Sequence, residues 1–454
     1  MRATVSLLAA ALALSGAPAA AQVPAQSFGP QVVGAPALGV AADGQAVLAW
    51  AGSVSVSASV RPAGGLFGRF VRLNTGGNAS RTFALAVGRG GDAVVVWQRV
   101  DRKGSATGSL LASVRRPRGV FRSPVVIPGS RGGRTPAAAV APDGTIVVAW
   151  RTVGARGCGA FVEASAARRG ASFAAARRVS SACANANRIR AAMSADGTGG
   201  IVWQAGRDGG ALALDAVPVK AQRFGRVRRI TTGPIVGFGA DAAGADTGAV
   251  VVWRDRSVAD RTGARGRVLA VRLFWHGGTA PGPVSASDRI AGVPRVAGRP
   301  DGTVFVVWEQ GGLRPEVTVA EQAGRSAAYT PPAVIDRCGA TDASRTYAWP
   351  ALNASRSAAV VFQSGCMSRF GLGTDYGIVL ARRAADTWQA PQGLSYGTYS
   401  RGATVGSADS GELVSAWLES GTGGGAARRR DRAVAGRRGS PARPGIARLR
   451  RLRP

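Results

Sequence analysis

The chain has 454 residues, of which 46% are hydrophobic and 6% aromatic, so it can bury a core and is not disordered overall. Its net charge is +33, and arginine supplies all of the positive charges except Lys103 and Lys220. Such a charge attracts polyanions, but the arginines form no recognised nucleic-acid module, which argues against a specific nucleic-acid partner. A GC-rich coding sequence gives the same Ala-, Gly- and Arg-rich composition, so the excess alone does not indicate a function.

The N-terminus has the pattern of a secretory signal. An apolar run, Val5 to Leu14, follows Arg2, and Ala19 and Ala21 stand where a signal peptidase requires small residues. The run is too short to span a bilayer, and no later segment approaches 18 apolar residues, so no transmembrane segment is expected. We therefore predict a signal peptide over residues 1–21 and a secreted mature chain, extracellular or associated with the cell envelope.

Eight units of similar sequence follow, with an average period of about 52 residues. An aspartate stands seven residues before the closing aromatic in five of them, at Asp43, Asp143, Asp196, Asp246 and Asp301. The units are "AADGQAVLAW", "GRGGDAVVVW", "APDGTIVVAW", "SADGTGGIVW", "GADTGAVVVW", "RPDGTVFVVW", "NASRSAAVVF" and "ADSGELVSAW".

Each unit has the pattern of a β-hairpin. An Asp-Gly pair accepts the positive φ angles of a type I′ turn, which predicts a two-residue hairpin loop. The strand that follows is almost continuously apolar, as is typical of a strand covered on both faces. Two further strands, such as "SLLASVRR" and "RSPVVIPG", separate successive hairpins. Each period therefore holds four strands, which we call A to D.

Four antiparallel strands per repeat predict an all-β fold, a β-propeller over residues 22–420 with about eight four-stranded blades. A seven-bladed ring with one hairpin displaced is the alternative, and an open β-solenoid is a more distant one. The N-terminal stretch "SFGPQVVG" is similar to a D strand and is predicted to close the ring by pairing with the last blade.

The repeats resemble the Asp-box turns of sialidase-like propellers, and "SADGTGGIVW" is the nearest of them to that pattern. The resemblance covers roughly residues 27–420 and concerns only the style of the repeat. In an Asp box one residue separates the aspartate from the glycine and the tryptophan lies five residues beyond the aspartate. Here Asp196 and Gly197 are adjacent and Trp203 lies seven residues beyond the aspartate. The resemblance implies propeller architecture and transfers no catalytic residues, since no Tyr–Glu nucleophile pair accompanies the arginines.

The four cysteines of an exported chain are expected to pair. In a four-stranded blade the B–C and D–A loops emerge on one face, which we call the loop face, and the A–B and C–D turns emerge on the other, the turn face. Cys158 and Cys183 fall on the loop face of the third blade, and Cys338 and Cys366 on that of the seventh. We therefore predict the disulfides Cys158–Cys183 and Cys338–Cys366, and no metal site, because there is no CxxC motif and no histidine neighbour.

The longest loops of the loop face surround the seventh blade. They carry aromatic, acidic and arginine side chains beside the second predicted disulfide, which suits a saccharide or an anionic ligand. Polar surface loops without a ligand are the alternative. The predicted ligand-binding residues are Asp342, Arg345, Tyr347, Trp349, Arg369, Asp375 and Tyr376.

No other motif indicates catalysis or a cofactor. The single histidine, His276, is predicted at an exposed C–D turn on the turn face, without a GxSxG motif. No phosphate-binding loop, zinc-protease or calcium-binding pattern is present. From Gly421 an arginine-rich tail runs to Pro454. It is predicted to be a polyanion-binding arm or a frayed terminus, and Asp431–Gly436 is a candidate C strand of the last blade.

These features favour an exported, non-catalytic propeller that binds a glycan, an anionic envelope polymer or a protein partner through its loop face. A sialidase-like glycoside hydrolase or a polysaccharide lyase is the alternative, and a purely structural surface protein is a third. A glycosidase requires two carboxylates about 5–10 Å apart. Few of the 25 acidic residues remain for such a pair, because several occupy Asp-Gly turns.

Overall fold

The computed structural model describes residues 26–28, 32, 34–74, 78–100, 108–154, 159–181, 183–206, 212–231, 235–255, 266–285, 291–311, 316–325, 328–337, 348–353, 357–364, 377–384, 386–395, 399–420 and 446–452. Within these residues the chain forms strands and no helix, so the all-β prediction is confirmed. No helix in this part of the chain is long and apolar enough to span a membrane. The signal peptide predicted over residues 1–21 lies outside it.

The strands form eight repeats of the predicted kind, each running A to D from the centre outward. Repeat 1 comprises Ala37–Val40 (β2), Ala46–Ala51 (β3), Val56–Arg61 (β4) and Val71–Arg72 (β5), and repeat 2 comprises Asn78–Val87 (β6), Ala93–Val100 (β7), Leu110–Arg115 (β8) and Val125–Val126 (β9). Repeat 3 comprises Arg134–Val140 (β10), Ile146–Val153 (β11), Ala160–Ala167 (β12) and Arg177–Arg178 (β13). Repeat 4 comprises Asn187–Met193 (β14), Thr198–Gly206 (β15), Leu212–Lys220 (β16), Arg223–Phe224 (β17) and Arg228–Arg229 (β18).

Repeats 5 to 8 continue the same order. Repeat 5 comprises Ile235–Gly244 (β19), Ala249–Asp255 (β20), Val268–Phe274 (β21), Gly277–Gly278 (β22) and Gly282–Pro283 (β23), and repeat 6 comprises Arg295–Gly298 (β24), Val304–Gln310 (β25), Glu316–Gln322 (β26) and Ala333–Asp336 (β27). Repeat 7 comprises Trp349–Leu352 (β28), Ala358–Ser364 (β29), Gly377–Ala384 (β30), Thr387–Trp388 (β31) and Gln392–Gly393 (β32). Repeat 8 comprises Tyr399–Ser407 (β33), Leu413–Ser420 (β34) and Ile446–Leu452 (β35), with Gln26–Ser27 (β1) as its outermost strand.

Counted as hydrogen-bonded sheets, the propeller has seven blades, which is the count of the predicted alternative. One of the seven is a double blade of ten strands that contains repeats 4 and 5, joined by the single pair Leu212–Ile235. All pairs within the sheets are antiparallel, and all eight predicted A–B hairpins are present.

The two ends of the chain meet in the last repeat. β1 pairs with β35, and β35 pairs with β34, so the N-terminal strand completes the sheet of repeat 8. Gln26 exchanges two hydrogen bonds with the backbone of Phe67 in repeat 1, and the Phe28 ring lies 5.6 Å from the Trp50 ring. The predicted pairing of the N-terminal stretch with the last blade is thus observed. The strand from the basic tail is Ile446–Leu452, whereas residues 431–436 lie outside the described part.

The inner strands of all eight repeats surround a narrow central channel with a cavity of about 310 Å³ near the A–B turns. Glycines on these strands let neighbouring repeats approach closely. A Cβ atom at Gly244 would overlap the carbonyl oxygen of Met193, and one at Gly298 would overlap that of Gly244.

We expect Gly244→Ala to cost about 1–3 kcal/mol of unfolding free energy, because the added methyl group forces two inner strands apart. Gly282→Ala is the matched control, since a Cβ atom there meets no atom within 4 Å. Urea unfolding of both variants measures the difference. Equal midpoints for Gly244→Ala and the control would show that the inner strands adjust without cost.

The Asp-Gly turns differ in type from the prediction. In repeat 1, Ala41 N–H bonds to Gln45 O and Gly44 N–H to Ala41 O, which encloses three loop residues rather than two. Only the glycine has a positive φ, +89° at Gly44, so the turn is type I followed by a left-handed residue. Asp43 Oδ1 accepts the Gln45 N–H at 2.9 Å. The type I′ prediction was wrong because the aspartate side chain caps the loop from a right-handed conformation.

Asp196 accepts hydrogen bonds from the Ser194 hydroxyl and from both the backbone N–H and the hydroxyl of Thr198. Burial by itself would raise the pKa of its carboxyl group, but hydrogen bonds from Ser194 and Thr198 outweigh burial and lower that pKa below its ordinary value. Thr198 Oγ1 also accepts the Gly248 N–H of repeat 5 at 2.7 Å. This turn therefore connects two adjacent repeats as well as closing its own hairpin.

The core lies between the repeats and consists mainly of the B and C strands. Every residue of Ala46–Ala51 and of Val304–Gln310 is buried, which confirms that the apolar strands are covered on both faces. The closing tryptophans Trp97, Trp150, Trp203, Trp308 and Trp417 have no exposed surface. Their indole rings fill the space between neighbouring sheets beside the small alanines.

Buried arginines fasten neighbouring repeats at the turn face. Arg61 bonds to Gly65 O at 2.8 Å and Gly44 O at 3.2 Å, and forms an ion pair with Glu412 of repeat 8. Arg115, its counterpart in repeat 2, makes the same kind of contacts and reaches Gln45 Oε1 of repeat 1 at 2.8 Å. The Arg61–Glu412 pair therefore fastens the first repeat to the last and closes the ring.

Candidate functional site

Most of the ligand site predicted from the sequence lies outside the described residues. Asp342, Arg345, Tyr347, Arg369, Asp375 and Tyr376 all belong to it, so the structure says nothing about them. Trp349 is described: it begins β28 and is half-buried, and the guanidinium carbon of Arg295 lies 4.8 Å from its ring centroid. Its ring packs on the core between repeats 7 and 8, so it serves the fold whether or not it contacts a ligand.

Of the cysteines, only Cys183 is described, and it is disulfide-bonded. Cys158, Cys338 and Cys366 lie outside the described part of the chain. Ala186 N–H bonds to Ala160 O at 2.8 Å, which brings the segments next to Cys158 and Cys183 together. The pairings Cys158–Cys183 and Cys338–Cys366 stay predictions.

His276 lies in the turn between β21 and β22 and is exposed, in the predicted C–D turn of repeat 5. Its nearest aromatic neighbour is Trp275, with ring centroids 6.2 Å apart. Among the described residues, no group of three or more His, Cys, Asp or Glu side chains is placed to hold a metal ion.

A groove between repeats 2 and 3 opens at the turn face and outer edge, with a volume of about 380 Å³, within the range of small-ligand sites. We call it the 2–3 groove. Its walls are the C–D connection and D strand of repeat 2 and the C–D turn of repeat 3. Its floor is apolar and is formed mainly by Ala112, Val114, Ile146 and Phe173.

Three arginines stand around this groove, and the turns place them there. Arg116 and Arg168 each follow the last residue of a C strand and open a turn closed by Gly119 and Ala171 N–H groups. Arg122 comes three residues before β9, on the same wall as Arg116, and Arg168 lies on the wall formed by repeat 3. All three are exposed, and the described residues offer none of their side chains a hydrogen-bond or ion-pair partner. Three charges are therefore available to a ligand.

A fourth arginine of the groove is structural. Arg169 bonds to Asp92 Oδ2 at 2.6 Å and so ties repeat 3 to repeat 2. The Asp92 side chain is 4% exposed and is the one carboxylate among the described groove residues. A Cβ atom at Gly170, whose φ is +78°, would overlap the guanidinium group of Arg116, so the glycine keeps room for that side chain.

The groove can hold an anion above an apolar surface. The guanidinium groups present several N–H donors that match carboxylate and sulfate oxygens, and Ser123 and Ser172 add hydroxyls at the rim. Val125 and Val126, each about half exposed, extend the apolar surface outward. The described residues of the groove include one carboxylate, Asp92, and not the pair that glycoside hydrolysis uses.

Sequence reasoning missed this groove because it looked for the site in the longest loops. A usable signal was present: the doublets Arg115-Arg116 and Arg168-Arg169 both stand at the end of a C strand in adjacent repeats, offset by one residue. The register shows that Arg116 and Arg168 are equivalent, since Arg115 pairs with Ala93 and Ala167 with Ile146 at the same distance from their turns.

Among the described residues, the net positive charge lies mainly in residues 108–231. The described residues from 108 to 231 include seventeen arginines and one lysine against four acidic residues. Those from 235 to 420 include ten arginines against twelve acidic residues. Codon bias acts on the whole chain and therefore does not account for this difference between the two ranges.

No protein-family model matches the sequence, and a search of curated proteins finds no match. The structure is similar to a lectin from Burkholderia pseudomallei, with 13% identity and a TM-score of 0.49 over 79% of this chain and 98% of the lectin. It is also similar to an ulvan lyase, with 10% identity and a TM-score of 0.46 over 79% of this chain and 97% of the lyase. A third similar structure is the propeller domain of a protease from Pyrococcus furiosus, with 8% identity and a TM-score of 0.44 over 80% of this chain and 95% of that domain. Likeness at this level concerns the fold, and the activities of these proteins are not transferred.

Proposed function

We propose that this protein is an exported, non-catalytic binding propeller that holds an acidic glycan, bearing carboxylate or sulfate groups, in the 2–3 groove. The observation that carries the proposal is the set of three exposed arginines without acidic partners around an apolar floor. Sugar rings have apolar faces as well as polar edges, and acidic sugars add the charge that these arginines match.

The other candidate sites support the proposal less. The loop-face residues lie outside the described part, and Trp349 is engaged in core packing and with Arg295. The central channel is lined mainly by valine, alanine and glycine near the A–B turns, which offers few groups to orient a sugar. The 2–3 groove combines volume, charge and access.

The test is a triple variant, Arg116→Gln with Arg122→Gln and Arg168→Gln, measured by calorimetry against oligogalacturonate and sulfated heparin fragments. We expect a loss of affinity of at least about 100-fold, because charge-assisted hydrogen bonds contribute about 1.5–3 kcal/mol each. The matched control variant also loses three positive charges, but outside the groove. It replaces Arg267, Arg325 and Arg337, whose side chains are exposed in repeats 5 and 6.

An equal loss in both triple variants would overturn the proposal, because net charge alone would then explain binding. Full affinity in the groove variant would overturn it as well. Release of unsaturated or reducing sugar ends by the wild-type protein would instead favour the lyase or hydrolase alternative. A neutral glucan serves as the negative ligand at low and high salt.

A further inference from the structure

A second groove flanks the other side of repeat 3. It lies between the D strand of repeat 3 and the outer strands of repeat 4, and its volume is about 540 Å³. We call it the 3–4 groove. Arg177, Arg178, Ser180, Ser181, Phe224 and Arg229 are among its lining residues.

Two arginines of the 3–4 groove interact with other side chains of the protein, and a third is available to a ligand. Arg229 forms an ion pair with Asp215, and the guanidinium group of Arg178 lies over the Phe161 ring, 4.4 Å from its centroid. Arg177 is exposed, and its side chain has neither a hydrogen-bond nor an ion-pair partner among the described residues. The groove therefore repeats the design of the 2–3 groove, with structural arginines beside an available one.

One segment of repeat 3 borders both grooves. Residues 168–173 form a wall of the 2–3 groove, and residues 177–181 form a wall of the 3–4 groove. Only Ala174, Ala175 and Ala176 stand between them in the chain, and the first two are exposed. No long side chain of this connecting segment obstructs a path from one groove to the other.

We infer that the ligand is a linear polyanion which occupies both grooves at once by crossing the outer edge of repeat 3. This inference rests on the proposed function and narrows it from an acidic glycan to an acidic polymer. A chain held at two linked positions gains affinity without any new kind of contact, because its second contact is intramolecular. The charge excess of residues 108–231 extends over both grooves and matches a ligand with repeated negative charges.

The test is the dependence of affinity on ligand length. Size-fractionated oligogalacturonates and heparin fragments are titrated into the full-length protein, and only fragments that bind one per protein are compared. We expect the affinity to rise at least about tenfold between fragments that fill one groove and longer ones. In the Arg177→Glu variant that rise should disappear, while the affinity for short fragments stays unchanged. Arg337→Glu, a charge reversal in repeat 6, should keep the rise.

Two results would overturn the inference. One is an affinity independent of length, and the other is a rise that persists in Arg177→Glu. Both leave short-fragment binding in the 2–3 groove intact, so they do not contradict the proposed function. Failure of the proposed function is recognised separately, because short fragments would then bind equally well to the Arg116, Arg122 and Arg168 triple variant.

Discussion

Glu412→Ala is expected to lower the free energy of unfolding by about 3–5 kcal/mol, because it leaves the guanidinium group of Arg61 buried without its counter-charge. The Arg61 and Glu412 side chains are 1% and 8% exposed, so water compensates little of this loss. The pair joins the first repeat to the last, so its loss weakens the junction at which the ring closes.

Glu412→Gln is the informative control for this junction. Arg115 in repeat 2 bonds to Gln45 of repeat 1, so a neutral amide already serves the equivalent position. We therefore expect Glu412→Gln to cost only about 1 kcal/mol, the contribution of an ordinary hydrogen bond. Urea unfolding followed by tryptophan fluorescence measures both variants. Equal costs for alanine and glutamine would mean that a neutral acceptor contributes nothing at this position and that the negative charge accounts for the whole effect.

The architecture could be predicted from the sequence because the repeat is carried by short-range signals. Strand B of each unit is continuously apolar, and a strand such as Val304–Gln310 is buried throughout. Hairpin connectivity follows from adjacency along the chain. The turn type did not follow, because Asp-Gly suits several loop geometries. The choice depends on whether the aspartate side chain caps the loop, as Asp43 does with Gln45.

The number of blades could not be predicted from spacing alone. Repeats 4 and 5 are separate units in sequence, yet the pair Leu212–Ile235 joins them into one sheet. That contact depends on how closely the start of a C strand approaches the start of the next repeat's A strand, which has no sequence signature. The structure has eight hairpins but seven sheets, because two of the eight predicted repeats share one sheet.

The candidate site was harder to predict because its arginines look alike in the sequence. Arg115 and Arg116 are neighbours, yet the first is 2% exposed and fastens two repeats, whereas the second is exposed at the 2–3 groove. Strand alternation points adjacent side chains to opposite sides, and only the register decides which one faces solvent. Part of the arginine excess therefore stabilises the ring, and the rest remains available for a ligand.

Replacing Trp308 by alanine is expected to cost about 3–5 kcal/mol, because the indole ring is fully buried in the core between repeats 5 and 6. Trp417→Ala is expected to cost a similar amount in the core between repeats 7 and 8. The two sites differ in one respect. Trp308 Nε1 donates to Gln310 Oε1 at 2.9 Å, whereas Trp417 Nε1 has no hydrogen-bond partner among the described residues.

Phenylalanine substitutions separate packing from hydrogen bonding at these two sites. Trp308→Phe leaves the buried Gln310 amide without its donor, so it should cost about 1–3 kcal/mol more than Trp417→Phe. Urea unfolding followed by far-UV circular dichroism measures both, since the fluorophore itself is replaced. If both phenylalanine variants lost the same free energy, the indole N–H would be irrelevant and the closing aromatic would act through volume alone. The phenylalanine that closes repeat 7, Phe362, is fully buried and shows that a ring without a donor is accepted at this position.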